Sequence, residues 1–108
     1  MSYSISRTPE FSKHLKQIAK KYPSVTNDYL LLLDSLSANP TQGHPLSKNC
    51  YKVRWKINSK QTGKSGGARV ITYVKIENKH ITFLDVYDKA DKESISEKEL
   101  AALIKKVG

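Results

Sequence analysis

A chain of 108 residues can build one modest hydrophobic core but not two, so residues 1–108 are read as a single domain. Its 38% apolar and 27% charged residues suit a soluble globular protein, and no apolar run nears the ~20 residues that span a bilayer, which excludes a membrane helix. The net charge of +9 calls for an anionic partner, whether nucleic acid, anionic lipid or an acidic protein.

The chain opens Met-Ser-Tyr-Ser-Ile-Ser-Arg, without the basic start and apolar stretch of a signal peptide, and a cytoplasmic location is expected. In this segment Tyr3 and Ile5 alternate with serines, the pattern of a half-buried strand. Thr8-Pro9-Glu10 then supplies a capping residue, a proline at the first helical position and an acid in the first turn. Phe11, Leu15, Ile18, Ala19 and Tyr22 follow at steps of three and four, opposite Lys13, Lys16 and Lys20, until Pro23 ends the helix. A second helix is predicted from about Thr26 to Ser37, with Tyr29, Leu30, Leu32, Leu33 and Leu36 as its apolar face and Asn39-Pro40 as its stop. Residues 41–49, with Gly43 and Pro45 and no periodicity, read as a connecting loop.

Beyond residue 50 the period changes from helical to two. Tyr51, Val53, Trp55 and Ile57 alternate with Lys52, Arg54 and Lys56, so a strand puts the first set in a core and the second on the opposite face. Residues 58–67, with three glycines and Lys60 and Lys64, read as a basic loop. Residues 68–76 and 80–87 are rich in β-branched residues and form a hairpin through Glu77-Asn78-Lys79. Ser96, Glu99, Ile95 and Leu100 have the spacing of a capping box with its hydrophobic staple, and Leu100, Leu103, Ile104 and Val107 give the final helix its buried side.

The positive charge is concentrated. Residues 51–80 hold eight basic and one acidic residue, against six and three before them and five and six after them. Non-specific solubilising charge would be spread evenly, so a local basic site is indicated. The bland alternative is that Lys52, Arg54 and Lys56 are only the solvated side of an amphipathic strand, and Arg69 a structural ion-pair partner. Tyr87 shares its parity with Ile81, Phe83 and Asp85, so alternation alone leaves it between core and site. Trp55 reads as a core anchor and Cys50 as an inert thiol. His14, His44 and His80 have neither zinc-ligand spacing nor the proximity of an acid–base pair, and no metal site is expected.

The order of elements, the Cys-Tyr-Lys-Val-Arg-Trp-Lys segment at 50–56, the Gly-Gly-Ala-Arg-Val-Ile-Thr-Tyr stretch at 66–73 and the Val-Tyr-Asp-Lys close of the last strand resemble the RelE/ParE superfamily of bacterial toxins. The stretch from Gly63 to Arg69 is nearest to its HigB-like branch. The resemblance implies an α+β, RelE-like fold: an antiparallel four-stranded sheet, two N-terminal helices packed on one face and a C-terminal helix, with a concave basic face left for RNA. It also implies the toxin of a type II toxin–antitoxin system, a ribosome-dependent endoribonuclease that enters the 30S A site, against rRNA, and cuts mRNA there. The ribose 2′-hydroxyl attacks the adjacent phosphate, and neither metal nor other cofactor takes part. The implied protein partner is a cognate antitoxin whose extended or helical segment, often acidic, covers the sheet face or displaces the C-terminal helix; no membrane is involved.

Such a reaction needs a group to take the 2′ proton, positive charge on the phosphorane and an acid for the leaving 5′-oxygen. By the resemblance, Lys52 and Arg54 match the paired basic positions of the family's second strand, and either serves proton transfer. Arg69 matches the phosphate-binding arginine, and Tyr87 and Lys89 lie near the scissile nucleotide, where Tyr87 can stack on a base. Lys56, Lys60, Lys64 and Lys92 are expected to contact RNA. The chain departs from the best-studied RelE type in having Ala90 where that type has an arginine, a longer 58–67 insertion and no counterpart of the C-terminal tyrosine of some relatives. Two other readings share the fold: a ParE-like inhibitor of DNA gyrase, against which the Lys52, Arg54 and Arg69 set argues, and an RNA-binding module without catalysis.

Overall fold

Thr8 both starts the first helix and ties it to the sheet. Its hydroxyl accepts the Phe11 N–H at 3.0 Å and donates to the Leu84 carbonyl at 2.8 Å, which is the N-cap role expected of threonine before Pro9. The computed structural model describes residues 3–60 and 67–107. In chain order these form β1 (Ser4–Arg7), α1 (Pro9–Lys21), α2 (Val25–Ala38), β2 (His44–Pro45), β3 (Cys50–Trp55), β4 (Ala68–Lys75), β5 (His80–Asp88) and α3 (Glu97–Val107).

The sheet has the order β1-β5-β4-β3-β2. It therefore differs from the antiparallel four-stranded sheet expected from sequence in two respects. β1 runs parallel to β5, with Ile5 opposite Ile81, and the two-residue β2, inside the stretch read as a loop, pairs with Tyr51 and Lys52 of β3 as a fifth strand. The β3–β4–β5 meander is antiparallel as predicted.

Helices pack on both faces of the sheet. On one, Phe11 and Ile18 of α1 and Val25, Leu32 and Leu36 of α2 pack on Val53, Trp55, Val70, Ile81, Phe83 and Val86. Phe11 and Phe83 are fully buried with ring centroids 4.9 Å apart, a contact whose truncation costs about 3–5 kcal/mol in comparable cores. Leu30 is not part of this face. At 100° per residue the stripe of α2 runs through Val25, Leu32 and Leu36, which leaves Leu30 55% and Leu31 60% exposed. One buried position of α2 goes instead to Asp28, whose carboxylate accepts Ser24 Oγ at 2.6 Å, the Asn58 N–H at 2.9 Å and Asn58 Nδ2. Its carbonyl takes Trp55 Nε1 at 3.0 Å, so Asp28 anchors the end of β3 to the helices.

On the other face α3 packs Leu100 against Cys50, Ile71, Leu84 and Tyr87, with Ile95 in the same cluster. The capping box is reciprocal, Glu99 N–H to Ser96 Oγ and Ser96 N–H to Glu99 Oε1, both at 3.1 Å. The face expected to lie open for RNA is thus partly roofed by α3. No helix among the described residues is long and apolar enough to cross a membrane.

Candidate nucleic-acid interface

Register, rather than proximity in sequence, assembles the basic site. Arg54 of β3 lies opposite Arg69 of β4, and Arg69 lies opposite Tyr87 of β5. Directly opposed residues of antiparallel strands share a face, so the three side chains form one row about 10 Å long, two strand spacings. Lys52, two residues before Arg54, adds to the same face. Two arginines directly across a ladder bring two positive charges together on one face of the sheet.

A β-bulge puts Tyr87 into that row. Ile71 pairs with Asp85 but Thr72 pairs with Phe83, so Leu84 is an extra residue in β5. The alternation resets there: Ile81 and Phe83 face the α1/α2 core, while Tyr87, of the same parity in sequence, joins the α3 side. The bulge fixes which face Tyr87 takes, and on that face the side chain is buried beside Ile71, Leu84 and Leu100.

Gly67 sets the approach of β4 to β3. Its φ is +84°, and a Cβ there would stand 2.5 Å from the Trp55 carbonyl oxygen, so only glycine lets β4 start close enough to place Arg69 against Arg54. Arg69 is only 6% exposed, and its Nη1 donates to the Ala68 carbonyl at 3.1 Å. Arg54 is exposed and Lys52 half-buried, with Lys52 Nζ 3.3 Å from Ser94 Oγ. Tyr87 is 8% exposed and its buried hydroxyl has no hydrogen-bond partner among the described residues. Burial raises the phenol pKa above its ordinary value; the positive charge of Arg69 opposes the shift, and the negative charges of Asp85 and Glu99 add to it. The hydroxyl is therefore a proton-bearing donor at neutral pH.

The remaining expected residues are distributed unevenly. The ammonium of Lys92 lies 5.4 Å over the Tyr87 ring and is ion-paired with Glu99, so that ring is covered and is not the open stacking platform that sequence suggested. Lys89, just beyond β5, is half-buried; its N–H bonds the Gly67 carbonyl at 3.1 Å and its ammonium is 3.9 Å from Glu93. Lys56 is exposed just past β3. Lys60 does not join the cluster: its side chain is 6% exposed and its ammonium is paired with Asp88 and the Gly67 carbonyl rather than presented to solvent. Lys64 lies outside the described residues.

Two features had no local signal in the sequence. Asp88 is buried, and burial raises its pKa, but hydrogen bonds from Lys60, the Ala90 N–H and Tyr22 outweigh this and leave it below its ordinary value. His14 of α1 bonds Asp85 at 2.6 Å, in the wall of a cleft of 530 Å³ between α1 and the second half of β5. Both depend on contacts between residues about 30 to 70 positions apart. Among the described residues no three His, Cys, Asp or Glu side chains gather as a metal site would require.

Comparison with known proteins follows the same lines. Residues 46–107, which hold β3, β4, β5 and α3, match the family model described as the RelE toxin of the RelE/RelB toxin–antitoxin system. Among curated proteins none matches the sequence. The fold is similar to that of a chain in the RelBE2 toxin–antitoxin complex of Mycobacterium tuberculosis, with 18% identity over 84% of this chain and 95% of that one and a TM-score of 0.63. It is similar also to a free arginine-to-alanine double mutant of the E. coli toxin RelE, with 16% identity over the whole of both chains and a TM-score of 0.61. A chain of the archaeal RelE–RelB complex of Pyrococcus horikoshii gives 22% identity over 85% of this chain and 100% of that one, with a TM-score of 0.52. With the fold and the family model in agreement, the chain belongs to the RelE toxin family of RelE/RelB toxin–antitoxin systems.

Proposed function

We propose that this toxin is a ribosome-dependent endoribonuclease that cleaves mRNA in the A site by metal-independent attack of a ribose 2′-hydroxyl on the adjacent phosphate. The observation that carries the reading is the cross-strand row Arg54–Arg69–Tyr87 with Lys52 beside it. It holds three cations and a neutral phenol within the span of a single phosphodiester linkage and its neighbours. An anionic phosphorane is stabilised by donors already fixed in place, each commonly worth about 3–4 kcal/mol. Arg69 and Arg54 take the non-bridging oxygens, where a guanidinium can grip two at once.

Lys52 is the better candidate to take the 2′ proton, acting as the neutral amine with Arg54 and Arg69 supplying the positive charge, because arginine holds its protons too firmly for that role. Tyr87, protonated at neutral pH, is suited to donate toward the phosphate or the leaving 5′-oxygen, with the Lys92 ammonium over its ring and Lys89 two residues on in the chain. Attack by the 2′-oxygen forms the new P–O bond, the bond to the 5′-oxygen breaks, and that oxygen takes a proton. The fragments end in a 2′,3′-cyclic phosphate and a 5′-hydroxyl. The reaction is placed in the cytoplasm, with the ribosome and mRNA as partners. The similar chains that come from RelE–RelB and RelBE2 complexes support an antitoxin partner of the RelB kind, folding on the toxin as it binds.

The test is cleavage of a defined mRNA by purified protein in reconstituted translation, with and without ribosomes and with a chelator that removes transition metals but leaves ribosomal magnesium. Ribosome-dependent cleavage that survives the chelator and falls in Arg69→Ala establishes the reading. Intact mRNA with active wild-type protein overturns it.

A further inference from the structure

Lys60 and Asp88 form an ion pair in which the side chains are 6% and 5% exposed. The same ammonium donates to the Gly67 carbonyl at 3.2 Å and lies 5.8 Å over the Tyr22 ring. Asp88 also accepts the Tyr22 hydroxyl at 3.1 Å and the Ala90 N–H at 2.9 Å, and the Gly67 carbonyl takes the Lys89 N–H at 3.1 Å. These contacts fall at the last rung of the β4–β5 ladder, where Ala68 faces Asp88. Gly67 stands two residues before Arg69, and Asp88 stands between Tyr87 and Lys89. One buried ammonium therefore holds both strand ends that carry the candidate site. It does so from behind, because Asp88 alternates with Tyr87 and meets Tyr22 on the α1 side of the sheet.

A buried ion pair gains little stability over apolar residues of the same volume, since desolvation offsets the attraction. What it does supply is direction: the ammonium bonds a carboxylate on one strand and a carbonyl beside the other, which fixes the two against each other. We infer that Lys60 and Asp88 are positioning residues, a clamp behind the sheet that holds Arg69 in register with Tyr87 and Lys89, and that Lys60 is not a phosphate ligand. The inference rests on the proposed cleavage at that row for its catalytic consequence, but not for the role of Lys60 itself.

The experiment measures three quantities in wild type, Lys60→Met, Lys60→Arg and Arg54→Ala: affinity for a short RNA as a function of salt, hydrogen exchange of the Lys89 amide, and steady-state cleavage on ribosomes. For Lys60→Met the expected result is RNA affinity within about twofold of wild type with an unchanged salt slope, whereas loss of a true phosphate contact lowers the slope by about 1. Protection of the Lys89 amide is lost, and kcat falls by about tenfold or more with KM unchanged, as small misplacements of catalytic groups produce. Lys60→Arg, which keeps a cation and its donors, regains part of the rate. A shallower salt slope in Lys60→Met, or full cleavage with the Lys89 amide still protected, overturns the inference. If Lys60→Met fails to fold because Asp88 is left buried and unpaired, the double variant Lys60→Met/Asp88→Asn is read in the same way. If wild type does not cleave, the proposed function fails on its own, while the salt slope and the amide exchange still decide what Lys60 does.

Discussion

Arg69 and Tyr87 face each other across the β4–β5 ladder, on the opposite side of the sheet from Phe83, although Tyr87 and Phe83 have the same parity along β5. The Tyr87 hydroxyl that reaches this position is buried without a partner among the described residues. An unsatisfied buried hydroxyl costs about 1–3 kcal/mol, so Tyr87→Phe should stabilise the fold by about 1 kcal/mol, a rise in Tm of about 4 °C at this chain length. If the phenol donates in the reaction, the same change lowers cleavage by about 10²-fold. Thermal unfolding and cleavage measured on one preparation should therefore move in opposite directions. A variant that is less stable yet fully active would show the hydroxyl to be structural.

Asp88 gives the fold an acid-sensitive component. Burial raises its pKa, but the hydrogen bonds from Lys60, Ala90 and Tyr22 bring it below the ordinary value. A carboxyl whose folded pKa is depressed stabilises the protein at any pH above its unfolded value of about 3.9, and that contribution is lost as pH falls through the folded value. Asp88→Asn leaves Lys60 buried without its counter-charge and should cost about 3–5 kcal/mol at neutral pH. Urea unfolding of the two proteins should show this gap narrowing below about pH 4. A gap independent of pH would mean that the carboxylate charge is not what matters.

Signals that lie within a few residues of each other were legible in the sequence, and those that depend on long-range pairing were not. The Thr8 cap, the Ser96–Glu99 box and the alternation from Tyr51 to Trp55 are set by local hydrogen bonds and by the two- or 3.6-residue period, and each appears in the structure. The bulge at Leu84 is not readable, because it exists only relative to β4 and reverses every assignment of face beyond it. Lys60 misleads for a similar reason: a lysine in a glycine-rich segment is usually solvated, and nothing near it in sequence marks Asp88 as its partner. The outward turn of Leu30 follows from Asp28, a polar residue holding a core position through bonds to a segment thirty residues away.

The charge row also makes a prediction about salt. Arg54 is exposed, and no ion pair to an acid is formed by it among the described residues, so replacing it should remove a phosphate contact without disturbing the core. Arg54→Ala should weaken RNA binding at low salt and reduce the slope of log affinity against log salt by about 1, with the unfolding free energy unchanged to within about 0.5 kcal/mol. Filter binding across a salt series measures the slope. An unchanged slope would mean that Arg54 belongs to the solvated side of β3 and takes no part in holding RNA.

Cys50 reports on the α3 roof. It is 1% exposed, in the cluster closed by Leu100, and burial pushes its thiol pKa up to about 11, with Glu97 adding and Lys48 opposing. At pH 8 the thiolate fraction is then about a thousandth, against about a quarter for a free thiol near pKa 8.5. The folded protein should react with a thiol-specific disulfide reagent at least about a hundredfold more slowly than the unfolded chain. Leu100→Ala removes the side chain that seals the cluster and should cost about 2–5 kcal/mol. Labelling should accelerate in step, because α3 has few other fully buried contacts: Leu100 is its one buried residue, Leu103, Ile104 and Val107 being only partly covered. The same assay tests the proposed partner's mode of binding. A segment that displaces α3 exposes Cys50 and speeds labelling, whereas one that lies over the Arg54–Arg69 row with α3 in place leaves the rate as it is in the free toxin.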